Sequence, residues 1–433
     1  MKYKSCKDVE SSLYIAPNEI RSCCQRFFYK DKMRGDAKLL EIDEGKTPTS
    51  NDIANARSKI FDDIQLDKNE SCLGCPFLYE TNEKPKFNSQ IKHLSIEHHS
   101  VCNLRCSYCS DIYYGGKRSK YNVVEFIKYL NASGSFEDCK QVVWGGGEPT
   151  LDKSFELIVE EINKYANPNL YHRVFTNAII YKEAIQKFLK KGLIKIVTSV
   201  DAGDQKKFKE VRGRDKFINL FDNLKLYADT NPNLVTIKYI LTKDNYDHKQ
   251  VTGFVNECVK NKLENCNYQI SMNYKIEELE INFLKSIIFL MSQMKKHNIY
   301  KFFIDDHIAA RFISLDSNQK KEIDLFIKTH NFENILINKS QLNGLNIFGA
   351  GDIAANILNK SSIIEDIKNI QIFDNDISKI GTKIGDILID KPKNILNNNE
   401  KIYISVAQSF DDVFSYLISL KINPNRIISG LII

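Results

Sequence analysis

Between residues 93 and 296, short strand-like runs alternate with longer segments whose apolar residues recur every three or four positions. The strand-like runs are His93–His99, Gln141–Trp144, His172–Thr176, Lys195–Val200, Thr236–Thr242 and Asn267–Met272. Each is followed by a helix-period segment: Asn122–Leu130, Ser154–Tyr165, Tyr181–Lys190, Asp215–Tyr227, His248–Lys260 and Ile276–Lys296. Repeated strand-then-helix order predicts an α/β fold with a parallel sheet covered by helices. Six units are fewer than the eight of a closed barrel, so the pattern predicts a curved, partial (β/α)6 barrel over residues 91–300.

The flanks read differently. Residues 1–90 are rich in Cys, Lys and Asp, have weak periodicity, and form a candidate cysteine-rich module. Residues 301–343 read as a bridging segment, and 344–433 as a second α/β domain. That last part opens with a strand at Leu345–Phe348 and a helix from about Ile353. Strands Ile370–Phe373 and Lys401–Val406 and a helix Phe410–Leu420 follow.

Composition narrows the class. Of 433 residues, 42% are hydrophobic and 27% charged, which is ordinary for a globular chain. The formal charge of +6, spread thinly and with no basic block, gives little support to a nucleic-acid or membrane-surface role. The N-terminus has no apolar stretch of signal-peptide length, and the apolar run near Ile287–Met291 is too short to span a bilayer. The expectation is a soluble cytoplasmic protein without nucleic-acid or membrane partners. Eleven cysteines in that compartment suggest metal binding before disulfides.

Three of them stand together after the first strand of the series, in Cys102-Asn-Leu-Arg-Cys106-Ser-Tyr-Cys109. Three thiolates on one short loop can hold three irons of a cubane cluster, and a fourth would close it. No fourth Cys follows nearby, so one iron would stay open, as in a catalytic rather than a structural site. A zinc knuckle using His98 or His99 is the alternative. The loop's place, at the C-terminal end of a strand in a β/α series, is where such folds carry active sites.

CxxxCxxC after a first strand, with Tyr108 before the third Cys, resembles the signature of the radical S-adenosylmethionine (SAM) superfamily. Further matches follow in order over about residues 90–300. Gly146-Gly147-Glu148-Pro149 resembles the GGEP motif that meets the methionine amine of SAM. Thr176-Asn177 resembles the Thr-Asn-Gly after the third strand, Ser199-Val200-Asp201 the serine-bearing strand that contacts the ribose, and Arg212-Gly213 the Arg-Gly beyond it. The resemblance implies a [4Fe-4S] cluster on Cys102, Cys106 and Cys109. It implies SAM beside Tyr108, Gly146, Gly147, Glu148, Asn177, Ser199 and Arg212, and a reductase such as flavodoxin or ferredoxin. The implied chemistry is reductive cleavage of SAM to a 5′-deoxyadenosyl radical that takes a hydrogen from a substrate. No residue is singled out as catalytic beyond this cofactor set. Glycines at 145–147 suit close backbone approach to a ligand, and Glu148 suits a cationic amine.

The N-terminal stretch Leu13–Cys23 resembles the opening of a SPASM module, with Cys6 before it and Asn18 where that module has Gly. Cys72-Leu-Gly-Cys75 adds a metal-type CxxC. The expectation is one auxiliary [4Fe-4S] cluster on Cys6, Cys23, Cys72 and Cys75, with Cys24 as a substitute for Cys23. A four-cysteine zinc site fits the same spacing.

In the C-terminal part, Gly349-Ala-Gly351-Asp-Ile-Ala354 lies between a strand and a helix, and Asp374 ends the next strand. This is the dinucleotide-binding pattern, in which loop amides and a helix start face phosphate. Asp352 would compete with that phosphate. A Rossmann-like turn that binds nothing is the alternative. The segment resembles small nucleotide-binding domains of bacterial surface-sugar enzymes, which implies a sugar or nucleotide-sugar substrate and a nucleotide ligand at Gly349 and Gly351. The SPASM-like module implies a peptide or protein substrate instead. A non-catalytic zinc or iron–sulfur binding protein is the reading from another class.

Overall fold

The computed structural model describes all residues except 1, 110–115, 165–166, 169, 274–279, 306–307, 309–314, 331–342, 352–353, 356–357, 359–366, 407–408 and 429–433. The chain forms two compact units. One contains Met1–Arg105 with Cys109–Thr198, the other Cys106–Tyr108 with Ser199–Ile433.

The first unit is built on a sheet with short strands. In chain order they are β1 (Tyr3–Ser5), β2 (Ser12–Ile15), β3 (Glu19–Arg21), β4 (Arg26–Tyr29), β5 (Lys32–Gly35), β6 (Lys38–Glu41), β7 (Tyr79–Thr81), β8 (His93–Ile96), β9 (Gln141–Trp144), β10 (Tyr171–Phe175) and β11 (Ile194–Ser199). Strands β8 to β11 pair in sequence and in parallel. Each is joined to the next by a helix: Val123–Ala132, Phe155–Asn163 and Glu183–Lys190. Leu94, Ile96, Val142, Trp144, Val174 and Ile196 are fully buried, as strands covered on both faces require.

The N-terminal segment extends this sheet. β2 runs parallel to β8, in register from Ser12 opposite His93 to Ile15 opposite Ile96. β3 and β6 then add antiparallel. β1 pairs with β7, and β4 with β5 forms a hairpin. The helix Ser50–Gln65 starts from a Thr49–Asp52 capping box, which satisfies two of its free backbone donors. It buries Ile53, Arg57, Ile60, Phe61 and Ile64.

In the second unit, β12 (Val235–Leu241), β13 (Asn267–Met272) and β14 (Phe302–Ile304) are parallel neighbours. The helices Phe217–Thr230, His248–Lys260 and Ile281–Lys296 accompany them. The predicted beginning of the last helix, 276–279, lies outside the described residues. A helix Gln205–Arg212, not expected from the pattern, precedes Phe217–Thr230, and Gly213 at φ 75° closes it. A helix Ser317–Thr329 lies in the segment read only as a bridge.

The same unit holds a second sheet of β15 (Gly344–Phe348), β16 (Asn369–Phe373), β17 (Lys383–Ile384), β18 (Ile387–Asp390), β19 (Lys401–Ile404) and β20 (Ile427–Ile428). Its order is β17-β18-β16-β15-β19-β20, with every pair parallel except the β17–β18 hairpin. Numbered along the chain, the five parallel strands run 3-2-1-4-5, a doubly wound order that reverses between β15 and β19. The helix predicted from Ile353 lies largely outside the described residues; the helix Phe410–Ser419 is present. Among the described residues no helix is long and apolar enough to cross a membrane.

Candidate active site

In the first unit, the chain leaving β8 runs beside the chain leaving β9. Gly145 N–H donates to the Ile96 carbonyl at 3.1 Å, Gly147 N–H to His99 at 3.1 Å and Glu148 N–H to Val101 at 2.8 Å. A Cβ on Gly146, which sits at φ +84°, would come within 2.6 Å of the His99 carbonyl, and one on Gly147 would overlap the Val101 carbonyl. The sequence suggested these glycines make room for a ligand. The structure gives them a task within the protein: they let the β9 exit lie against the stretch that leads into the cysteine loop.

Glu148 is buried, at 2% exposure. One carboxylate oxygen accepts from the Thr150 N–H at 3.2 Å and from the Thr150 and Thr176 hydroxyls, both at 2.7 Å; the other accepts from Asn177 N–H at 2.6 Å. Burial pushes its pKa up, while these donors pull it down. Glu148 therefore fastens the exit of β9 to the exit of β10. Asn177 continues outward from it. Its amide nitrogen donates to Asn103 Oδ1 at 2.6 Å and toward Cys102 Sγ at 3.7 Å, and Leu104 N–H lies 3.5 Å from the same sulfur. Cys102, Glu148 and Asn177, singled out separately from the sequence, are thus linked. Thr150, Thr176 and Asn103 were not foreseen.

His98, the alternative zinc ligand, is engaged through one ring nitrogen. Its Nε2 is 2.9 Å from Asp152 Oδ2, and its ring meets His99 edge to face at 4.9 Å.

The second unit carries the other candidates. Asp201, two residues past the end of β11 at Ser199, has φ +60° and is fully buried. One oxygen accepts from Ile240 N–H at 2.7 Å; the other accepts from Tyr108 Oη at 2.6 Å and Arg212 Nη1 at 2.8 Å. Arg212 also donates to the Tyr108 hydroxyl. Asn245 holds the Asp201 and Ile240 carbonyls, both at 2.9 Å. Burial raises the Cys106 thiol; the neighbouring Arg212 and a hydrogen bond with Tyr108 work against it. Tyr108, expected to stack near an adenine, has its hydroxyl engaged by Asp201 and Arg212. Asp201 was quoted only as part of the Ser199-Val200-Asp201 match, and Asn245 was given no role; a buried acid at φ > 0 has no local sequence mark.

Donor chemistry tests the implied cluster. Cys102 and Cys106 are half-buried and Cys109 is exposed; their sulfurs are the ligand type that iron–sulfur clusters take. N–H groups face Cys102 and a cation lies beside Cys106, which suits thiolates. Among the described residues, no three His, Cys, Asp or Glu side chains stand at metal-holding distance. The donor set and its surroundings, rather than a closed cage, are what fit the group.

In the N-terminal segment, Cys6 and Cys72 share a buried cluster with Val9, Ala37, Ile60 and Ile64, and Cys23 packs against it. Burial, helped by Cys23, Cys75 and Cys6, pushes the Cys72 thiol up to about 12. Cys24 is exposed and outside this cluster. Cys139, Cys258 and Cys266 are buried and isolated in sequence.

At the switch of the second sheet, Gly349 has φ +107°, and its N–H donates to Phe373 O at 2.7 Å. Asp374, part of the dinucleotide-binding pattern, accepts from Ala350 N–H at 2.7 Å and from Lys379 at 3.2 Å. Gly351 opens to free space. Asp352 and Ile353, where a phosphate was expected, lie outside the described residues.

Comparison with known proteins bears on residues 96–254, which match the family profile described as Radical SAM superfamily. GTP 3′,8-cyclase of Vibrio parahaemolyticus is 28% identical over 182 residues, covering 40% of this chain and 52% of the cyclase. That of Aeromonas hydrophila is 28% identical over 171 residues, 38% and 49% of the two chains. The chain thus spans about half the length of these relatives. Among solved structures, Streptococcus suis SuiB bound to precursor peptide SuiA aligns with a TM-score of 0.41 at 16% identity, over 58% of this chain and 62% of SuiB. Native anSMEcpe with bound AdoMet aligns at 0.36 and 21%, over 47% and 59%. With the cysteine loop, the GGEP stretch and the β/α strands in order, residues 96–254 are a radical SAM domain.

Proposed function

We propose that the chain is an enzyme that reductively cleaves S-adenosylmethionine and uses the product to take a hydrogen atom from a substrate. The observation that carries this is the CxxxCxxC loop at the exit of β8, with Asn177 and Leu104 N–H donors facing Cys102. A [4Fe-4S] cluster held by Cys102, Cys106 and Cys109 would supply the electron, drawn from a flavodoxin- or ferredoxin-like reductase. Tyr108, Gly146, Gly147, Glu148, Asn177, Ser199 and Arg212 are the residues assigned to SAM. Glu148, itself buried, holds Asn177 in place through the Asn177 N–H.

Cys6, Cys23, Cys72 and Cys75 are assigned to an auxiliary cluster. Three of the four meet at one buried cluster, and Cys75 lies close enough to raise the Cys72 thiol. Metal analysis of anaerobically reconstituted full-length protein tests both sites together. It should give about eight irons per chain, two cubanes on cysteine ligands. About four irons with one zinc would make the N-terminal site structural, and zinc alone, without sulfide, would contradict the enzyme reading.

The substrate reading is a sugar or nucleotide-sugar. The 3-2-1-4-5 strand order and the glycine turn at its switch point support it. So does the nucleotide in the name of the GTP 3′,8-cyclases that the chain resembles over about 40% of its length. The second reading, a peptide substrate, is favoured by one contact: Asp374 already occupies the Ala350 amide that a phosphate would use. Calorimetric titration of the full chain with nucleotides and nucleotide-sugars decides between them. Binding that Gly351→Asp weakens at least about tenfold, by placing a second negative charge where phosphate approaches, supports the sugar. No binding at millimolar concentration supports the peptide.

A further inference from the structure

We infer that Arg212 and Asp201, linked through Tyr108, are positioning residues that set the charge around Cys106 and thereby the reduction potential of the cluster it holds. This rests on the cluster assignment above. Both residues are buried, Asp201 at 0% and Arg212 at 5% exposure. Arg212 closes the helix Gln205–Arg212, and Val211 beside it accepts the Ser107 N–H at 2.8 Å. The segment carrying Cys106 is therefore tied to the segment carrying the arginine.

The pairing is not the one a purely structural ion pair would favour. Arginine and carboxylate prefer two parallel hydrogen bonds. Here a single nitrogen, Nη1, serves both Asp201 and the Tyr108 hydroxyl, and Nε is buried with no partner. The guanidinium also lies over the Tyr108 ring, 5.9 Å from its centre. A buried donor left unmet is uncommon and calls for an explanation. Placement beside Cys106 provides one. Asp201 is itself held on both sides, by Ile240 N–H on its side chain and Asn245 on its carbonyl, so it fixes the arginine rather than following it.

A cluster bound through thiolates gains a further negative charge when reduced. A fixed cation next to a ligating sulfur stabilises that reduced form, and a neighbouring carboxylate opposes it. The two residues therefore act with opposite sign. Arg212→Gln removes the cation and should make the potential more negative. Asp201→Asn is nearly the same shape, can keep the Ile240 hydrogen bond, and should make it less negative. Arg212→Lys keeps the charge but loses the planar fork and should stay near the wild type.

The test is an anaerobic redox titration of the reconstituted full chain, followed by electron paramagnetic resonance on the signal that changes when SAM is added. Thermal melting of each variant accompanies it. At the wild-type midpoint, Arg212→Gln is expected to show about a tenfold lower ratio of reduced to oxidised cluster, which is about 59 mV for a one-electron couple. Asp201→Asn is expected to shift the other way. If both folded variants move in the same direction, or neither moves, the inference is overturned, because general loosening has no reason to change sign with charge. If the wild type itself shows no iron–sulfur signal that responds to SAM, the cluster assignment fails, independently of either residue.

Discussion

Replacing Cys102, Cys106 and Cys109 together by alanine is expected to remove one cubane of iron and to abolish formation of 5′-deoxyadenosine. The three thiols share one eight-residue loop, and a cubane with three protein ligands has no spare to lose. Any one of the single alanine variants should fail as completely as the triple variant, rather than by a third. Loss of fold does not explain such a result in advance. Cys109 is exposed and the other two are half-buried, so each substitution removes one sulfur without opening a closed core cavity, and surface changes usually cost within about 0.5 kcal/mol. Iron analysis and a melting curve on the same samples separate the two causes. A triple variant that still makes 5′-deoxyadenosine contradicts the assignment.

The largest effect on stability is expected at Arg57, on the helix whose Ile60 and Ile64 pack with Cys6 and Cys72. It lies on the helix Ser50–Gln65 and is fully buried. Nη1 donates to the carbonyls of Asn88 at 2.6 Å and Gln90 at 3.0 Å, and Nη2 to that of Ser12 at 3.0 Å. Burial lowers its pKa to about 10. One side chain thus joins the helix to the start of β2 and to the segment before β8. Arg57→Leu removes a costly buried charge, which helps the fold, but strands three carbonyls without donors. Each unmet buried group costs about 1–3 kcal/mol. The penalty exceeds the relief, and a net loss of about 3 kcal/mol is expected in denaturant unfolding. A loss under about 1 kcal/mol would show that the carbonyls find water instead.

The repeated β/α units were legible because period-two and period-3.6 patterns are local. Gln141–Trp144, Asn267–Met272 and His248–Lys260 fall where the pattern put them, and other boundaries move by a few residues. Asn122, read as the first helical residue, is instead the cap, its side chain accepting from Glu125 N–H. The helix Gln205–Arg212 was missed because its Lys-rich turns bury little beyond Phe208 and Val211. The strands of the first ninety residues were missed for a different reason. They are three or four residues long, and β1 and β2 have partners distant in the chain, β7 and β8. Pairing of that kind leaves no periodic trace.

The site was legible to a similar depth. Residue types and order pointed to Cys102, Glu148, Asn177 and Arg212, because thiols, a carboxylate after glycines and an arginine before glycine are few and placed at strand ends. Their partners were not legible. Asp201 meets Arg212 across eleven positions and Tyr108 across ninety-three, and Thr176 reaches Glu148 from the next strand. Such hydrogen bonds depend on how strand exits are brought together, which single-residue signals do not carry. In the C-terminal sheet, the glycine turn was foreseen, but not that Asp374 would turn back onto Ala350.

Anaerobic incubation of the full chain with S-adenosylmethionine and a strong reductant, with chromatographic measurement of 5′-deoxyadenosine and methionine, tests the central claim most directly. The account predicts both products in equal amounts, dependent on reductant and on the iron bound to Cys102, Cys106 and Cys109. A brown, iron-loaded protein that yields neither product under those conditions would contradict it.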